Sequence, residues 1–525
     1  MKHVEIVFFL LLAAILLVGI AQKIRLPYPL VLMLGGAVIS FTPGLDNIYF
    51  DPNLVLLMFV APILYYSAFG ISFREFQHNQ KAIFSLALGL VAFTTIVVGA
   101  IFKWIFPDYS WALAFAFGAI VSPPDAIAVT SILKRFNMNS RLITLLEGES
   151  LINDASAIVI YKIALVALLT GTSSLHEGIS EFFYVVIGGI IIGTSFGFLF
   201  QTFAKRYLEP ALGVVFSLTI PYVTYAAADL LDVSGVLAVV VNGLIGARIL
   251  HTHHAALRRV IGYAVWDIFI ILLNCVVFIL IGLQVRTIAG QMTTYEIINY
   301  STFALLIAFA MVLIRMIWVY GRAAILYMKA ERRRDASKRC PQILRESAII
   351  GWAGMRGIVS LAVALALPFT LPNGEPLAGR NEVVFITFMV ILITLLIPGL
   401  TLPRLIHWLK LHPINKDDNS EKRIRKLLAQ HADETIVSFF ETKMINEMEY
   451  RFLKDYFRLQ HEALELAHEE DMSNIEFVRR KVIHLQRIKL MDSWKAYEID
   501  DNLLSHLENE LDMLETHIAR AQLKV

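Results

Sequence analysis

A chain of 525 residues that is 57% hydrophobic and 17% charged is too apolar to be a set of soluble domains, in which about a quarter of residues are charged. Its two cysteines, Cys275 in an apolar run and Cys340 in a basic loop, exclude a disulfide framework or a cysteine metal cluster. A net charge of +2 gives no sign of a nucleic-acid partner, and the absence of a Walker loop argues against a built-in ATP motor.

Apolar runs long enough to cross a bilayer recur from Val4 to Leu409. The first could be a cleaved leader, but it is long and a second follows at once, so it reads as a retained span. Spans are expected near 4–22, 26–42, 53–71, 82–106, 111–133, 143–168, 181–204, 210–230, 234–247, 260–285, 296–328, 346–368 and 381–409, about thirteen helices. Alternate loops are basic: Lys23 and Arg25, Arg74 and Lys81, Lys134 to Arg141, Lys205 and Arg206, Arg248 to Arg259, and Arg332 to Arg345. The intervening loops carry mainly acids, among them Asp46, Asp108, Glu177, Asp229 and Glu375. The positive-inside rule then puts the amino terminus outside and the carboxy-terminal tail in the cytoplasm. Three segments result: a membrane domain over 1–409, a linker over 410–420, and a tail over 421–525 of about four amphipathic helices. The tail reads as a packing or dimerisation domain in preference to a ligand-binding regulator. Its scattered histidines, from His431 to His517, read as solvated rather than as a pH sensor.

Two of the expected spans are poor helices. The fifth contains Ser122-Pro123-Pro124-Asp125, where two prolines remove two backbone donors. The twelfth contains Gly351-Trp352-Ala353-Gly354-Met355-Arg356-Gly357. Non-helical backbone at membrane depth survives only where protein or a water-filled cavity satisfies it. The breaks at Pro123, Pro124, Gly354 and Gly357 lie seven helices apart, an odd number, so the two helices run in opposite directions. Opposed discontinuous helices mark inverted-repeat transporters with a site near the midplane.

The sixth span opens with Leu146-Glu147-Gly148-Glu149-Ser150-Leu151-Ile152-Asn153-Asp154-Ala155. Ser150, Asn153 and Asp154 fall at i, i+3 and i+4 and share a helix face. Their oxygens suit a small alkali cation. Asp154 lies roughly 20 Å along the helix from Arg141, at a depth where an ionisable group is costly and points to function. Asp125, beside the first break, can approach the same point. A carboxylate that titrates near neutral pH holds either a proton or a cation, and that competition couples two fluxes. The two aspartates are expected to titrate as a pair. Glu149 faces elsewhere and needs a buried partner; Arg315 and Arg356, both embedded in apolar helices, are the candidates. Asp267, Asn274 and Lys162 are further polar groups within the spans, Asp267 as a hydrogen-bonding group between helices and Lys162 snorkelling outward.

The stretches Gly118–Ala128, Leu146–Ala155 and Gly354–Leu365 resemble the monovalent cation:proton antiporters, the branch that holds the NhaP-type bacterial antiporters and the eukaryotic sodium/proton exchangers. The resemblance covers roughly residues 1–409. It implies that Asn153-Asp154 is an ion-binding pair associated with electroneutral exchange of one cation for one proton, that Asp125 and Ser150 join it, and that Glu149 is a structural acid paired with arginine. It also implies a homodimer with a dimer-forming scaffold and a mobile core in the bacterial inner membrane, with no cofactor beyond the transported ions. Two departures stand out. Many relatives have threonine where this chain has Pro124, and some have an acid on the third helix where Tyr65-Tyr66-Ser67 offers hydroxyls only.

The expected function is sodium/proton antiport by alternating access at Asp154, with a potassium/proton antiporter of the same fold as the near alternative. A cation channel with a regulatory tail would pass uncoupled current, which the paired breaks disfavour. An intramembrane enzyme using Asp125 and Asp154 would need a substrate entry and an activated water, and no catalytic residue is assigned.

Overall fold

A computed structural model describes residues 2–495 apart from 25, 43–54, 71–72, 137, 139, 171–174, 254–255, 291, 332–339, 373, 411–417 and 467–471, together with Leu507 and Leu511. The acid expected at Asp46, most of the basic loop before Cys340, much of the linker and the last expected tail helix lie outside the described residues. The chain divides into two compact units, Met1–Pro413 and Ile414–Val525.

The first unit is all-helical. Among the described residues, eight stretches are long and apolar enough to cross a membrane, and the shorter apolar helices Phe9–Ile24, Tyr28–Ile39, Leu56–Gly70 and Gly235–Ile249 accompany them. In chain order it begins with α1 (Lys2–Ile24), α2 (Tyr28–Ile39), α3 (Leu56–Gly70), α4 (Phe73–Phe84) and α5 (Val91–Ile105). Next come α6 (Trp111–Val121), α7 (Ala126–Arg135), α8 (Ser140–Thr170), α9 (Leu175–Tyr207), α10 (Pro210–Asp229) and α11 (Gly235–His253). The unit closes with α12 (Ala256–Ala289), α13 (Thr294–Glu331), α14 (Cys340–Trp352), α15 (Ile358–Leu365) and α16 (Arg380–Trp408).

Several boundaries have local causes. α2 starts at Pro27 and Pro29, where a missing N–H costs little because a first turn leaves it unpaired anyway. In α3, Pro62 cannot donate to the carbonyl of Met58 four residues back. The turn before it widens to π geometry over Leu56–Val60, and the Met58 carbonyl accepts from the Tyr222 hydroxyl at 3.3 Å instead. The polar stretch before Ala82, expected as loop, is helical from Phe73 and runs through a π segment, Ser85–Leu90, into α5. Its charged and apolar residues alternate at helical spacing, so polarity was no bar to a helix at the membrane surface. The short expected span at 234–247 is the longer α11.

Small residues set the closest helix contacts, as in other membrane bundles. A Cβ on Gly282 of α12 would lie 2.8 Å from the Cα of Gly36 and 2.7 Å from the Ala37 nitrogen on α2. These close approaches bring α12 and α2 face to face, and the main core, including Leu32, Met33, Phe117, Phe278 and Ile279, fills in around them.

The second unit contains α17 (Asp418–Glu441), α18 (Glu447–Leu466) and α19 (Met472–Lys495). The turn into α18 is a capping box: the Asn446 N–H donates to Glu449 at 2.8 Å and the Glu449 N–H donates to Asn446 Oδ1 at 2.9 Å. Phe440 and Tyr450 pack with their rings tilted, 4.7 Å between centres, and pin α17 to α18.

Candidate functional site: two interrupted helices and a buried polar centre

The backbone leaves the helix at both expected breaks. α6 ends at Val121 and α7 restarts at Ala126, while α14 ends at Trp352 and α15 restarts at Ile358. The two interruptions touch directly, the Asp125 N–H donating to the Met355 carbonyl at 2.6 Å.

Four helix ends therefore meet here, and each pair has a matching charge. The carbonyl ends of α6 and α14 converge on Arg356. Its guanidinium donates to Val121 O at 3.0 Å, to Ser122 O at 3.4 Å and to Gly354 O. A cation at a helix C-terminus satisfies orphan carbonyls and opposes the negative end of the dipole. The N-terminal ends of α7 and α15 adjoin Asp125. Its Oδ1 accepts from the Ile127 N–H at 2.8 Å as the cap of α7, and Gly357, the first residue before α15, lies against its carboxylate.

A Cβ at Gly357 would fall 2.6 Å from Asp125 Cγ, a separation that real Cβ atoms do not reach. We therefore expect Gly357→Ala to insert normally but to lose roughly ten- to a hundredfold in transport rate, because a carboxylate displaced by about an ångström no longer meets its partners. Flux equal to wild type in proteoliposomes would show that Asp125 tolerates the shift.

The face of α8 supplies the remaining groups. Ser150 Oγ accepts from the Ala126 N–H at 3.3 Å, and the Asn153 amide donates to Pro124 O at 3.2 Å. Both contacts tie α8 to backbone groups freed by the break. Asn153 is fully buried and its Oδ1 has no hydrogen-bond partner among the described residues. Asp154 is buried and within electrostatic reach of Asp125. Asp125, Ser150 and Asp154 line a cavity of about 320 Å³ with Pro123 and Gly357. The same cavity reaches Lys134 and Glu147, an ion pair at 2.9 Å.

Glu149 points away from this centre. Arg315 grips it through two nitrogens, at 2.5 and 2.7 Å, and donates through Nε to Ile350 O at 2.8 Å. Both side chains are almost wholly buried. Of the two candidate arginines, Arg315 thus makes the ion pair, and Arg356 is occupied with helix ends. Lys162 is exposed on α8. Asn274 lies on α12 with its amide 3.5 Å from the Tyr28 hydroxyl.

One contact was hidden from the sequence. The Tyr66 hydroxyl on α3 donates to Asp267 on α12 at 2.5 Å, and both residues line the cavity. The third helix contributes hydroxyls, as its sequence offers, but a carboxylate reaches them from 201 positions away.

Buried carboxylates and unpaired amide oxygen at two crossed helix interruptions, opening on a polar cavity, define an ion-translocating membrane protein. The chain belongs to the sodium/hydrogen exchanger family, whose transmembrane model matches residues 8–408, and it is a monovalent cation/proton antiporter. It is 31% identical over 512 residues to a sodium, potassium, lithium and rubidium/H(+) antiporter of Bacillus pumilus, covering 93% of this chain and 74% of that one. Identity to the Na(+)/H(+) antiporter NhaH of Halobacillus aidingensis is 29%, over 75% of this chain and 95% of the relative. The fold is that of the sodium proton antiporter MjNhaP1 from Methanocaldococcus jannaschii, with a TM-score of 0.61 at 20% identity over 78% of this chain and 99% of that structure.

Proposed function

We propose that the chain exchanges one sodium ion for one proton by alternating access at Asp154, with potassium as the alternative cargo. The observation that carries this reading is the convergence of Asp125, Ser150 and Asp154 on one cavity at the two interruptions, with the buried Asn153 bonded to the Pro124 carbonyl beside them. In the cation-loaded form, the carboxylate of Asp154, the free Oδ1 of Asn153, the Ser150 hydroxyl and the Asp125 carboxylate offer hard oxygens to a dehydrated alkali ion. In the proton-loaded form the carboxyl is neutral, and a neutral centre crosses low-dielectric surroundings at less cost than an anion. The empty, fully ionised site is the state that does not cross. That asymmetry forbids slippage and makes the exchange obligatory, and the helix ends at Asp125 keep the ionised site tolerable while it waits.

The basic residue Lys134 and the carboxyl end of α3 at Gly70 mark the mouth of the cavity. The alternation of basic loops supports placing that mouth, and the tail, in the cytoplasm, with the amino terminus outside and the protein in a bacterial inner membrane. The resemblance to the antiporter family supports a homodimer. The membrane domain over 1–409 carries the exchange, and the tail over 421–525 serves dimerisation or regulation.

The test is purified protein in proteoliposomes with an internal pH dye and the membrane voltage clamped. Sodium added outside should move protons outward at a rate independent of the clamped potential, with lithium and potassium ranking the selectivity. Proton movement that follows the voltage would mean unequal stoichiometry. Ion flux without proton movement would mean a channel.

A further inference from the structure

Asp267 is a carboxylate within a strongly apolar helix. It sits between Trp266 and Ile268 in α12, a helix long and apolar enough to span the bilayer. A charge at such a place requires water or a counter-charge. Among the described residues no basic side chain lies within ion-pair distance of it. Its hydrogen bond is the one from Tyr66, at Oδ1, so Oδ2 has no protein partner there. The base that lines the same cavity, Lys134, is already held by Glu147. Asp267 is thus an uncompensated negative charge on a cavity wall, carried by different helices from Asp125 and Asp154.

Its position is fixed rather than incidental. The Tyr66 ring stacks on Trp266 at 5.4 Å with the planes 4° apart, and the Trp266 indole N–H donates to Ser217 Oγ at 2.9 Å. The rings set the phenol, and the phenol sets one carboxylate oxygen. Ser67 lines the same cavity and adds a hydroxyl. A volume of about 320 Å³ holds roughly ten waters at their liquid volume of ~30 Å³ each, enough for an ion that keeps most of its shell. Asp267 is exposed; a fixed charge on an open cavity wall gathers counter-ions, and a site that leaves the ion hydrated releases it easily, as conduction requires.

We propose that Asp267, oriented by the Tyr66 hydroxyl, is a second docking point for the transported cation, where a hydrated monovalent ion waits before it reaches Asp154. The proposal rests on the exchange reading above. The site raises the ion's local concentration and takes no part in the exchange of proton for cation.

The experiment compares wild type with Asp267→Asn in proteoliposomes, reading initial proton flux against sodium concentration at low and high choline chloride. The apparent KM for sodium should rise about fivefold or more, the factor for one charge contact in a watery site, with the maximal rate kept. Choline should raise the wild-type KM by screening and leave the Asp267→Asn value nearly unchanged. Tyr66→Phe keeps the charge but frees the carboxylate, and should raise KM about two- to threefold; it carries the test alone if Asp267→Asn fails to reach the membrane. An unchanged KM in either variant overturns the proposal. So does a lost maximal rate at unchanged KM, which would make Asp267 part of the exchange centre or of the scaffold. Wild-type vesicles with no sodium-dependent proton flux would defeat the exchange reading and this one with it, whereas an unchanged KM in vesicles that do exchange defeats this one only.

Discussion

Asp154→Asn is expected to fold, insert and lose all cation-dependent proton flux in everted vesicles, down to the level of vesicles without the protein. Asparagine matches aspartate in shape and can offer an oxygen, but it has no proton to surrender and no charge to balance a cation. Nothing structural depends on the carboxylate's charge, because no hydrogen bond or ion pair to Asp154 holds the helices together among the described residues. Removing an ionisable group from a buried position also removes a desolvation cost, so thermal stability in detergent should equal or exceed that of wild type. Exchange that survives in full would refute Asp154 as the exchanged site. Lost exchange with lost stability would recast it as part of the framework.

Glu149→Gln gives the opposite pattern. The pair with Arg315 is almost wholly buried and bidentate. Deleting one charge strands the other, at a cost of about 3–5 kcal/mol. We expect a sharp fall in the yield of monodisperse protein and in its unfolding temperature, while the sodium KM of whatever survives stays close to wild type. Arg315→Met should behave alike. The double variant should recover part of the loss, since a matched apolar pair leaves no orphan charge. Additive losses in the double variant, or a normal yield with altered cation preference, would reverse the assignment.

Local chemistry was readable in the chain, and pairing between distant helices was not. Pro123 and Pro124 cannot donate backbone hydrogen bonds wherever they sit, so the break after α6 follows from the residues themselves. The shared face of Ser150, Asn153 and Asp154 follows from the pitch of a helix. By contrast, the choice between Arg315 and Arg356 for Glu149 depends on how α8, α13 and α14 are rotated about their axes, and no spacing within one helix encodes that. What the sequence did carry about Arg356 was its place just after Gly354, at a helix end, where a cap rather than an ion pair is the natural use. Tyr66 and Asp267 meet across 201 positions; each stands out as a polar group in its own span, but no spacing pairs the two. The polar stretch before Ala82, taken as a loop between two apolar runs, is helical from Phe73, because apolar-run length marks spans and not the polar helices that join them.

Arg356 has a consequence for how the ion is carried. One side chain fastens the carbonyl ends of both interrupted helices, while Asp125 is clasped from the other strand of the crossing at Met355. Displacing either interruption drags its twin along. Under the alternating access proposed above, the oxygen cage would then travel as a rigid parcel, with the same grip on its passenger whichever compartment it faced. Net direction would be left to the two concentration gradients, and the machine would run equally well in reverse.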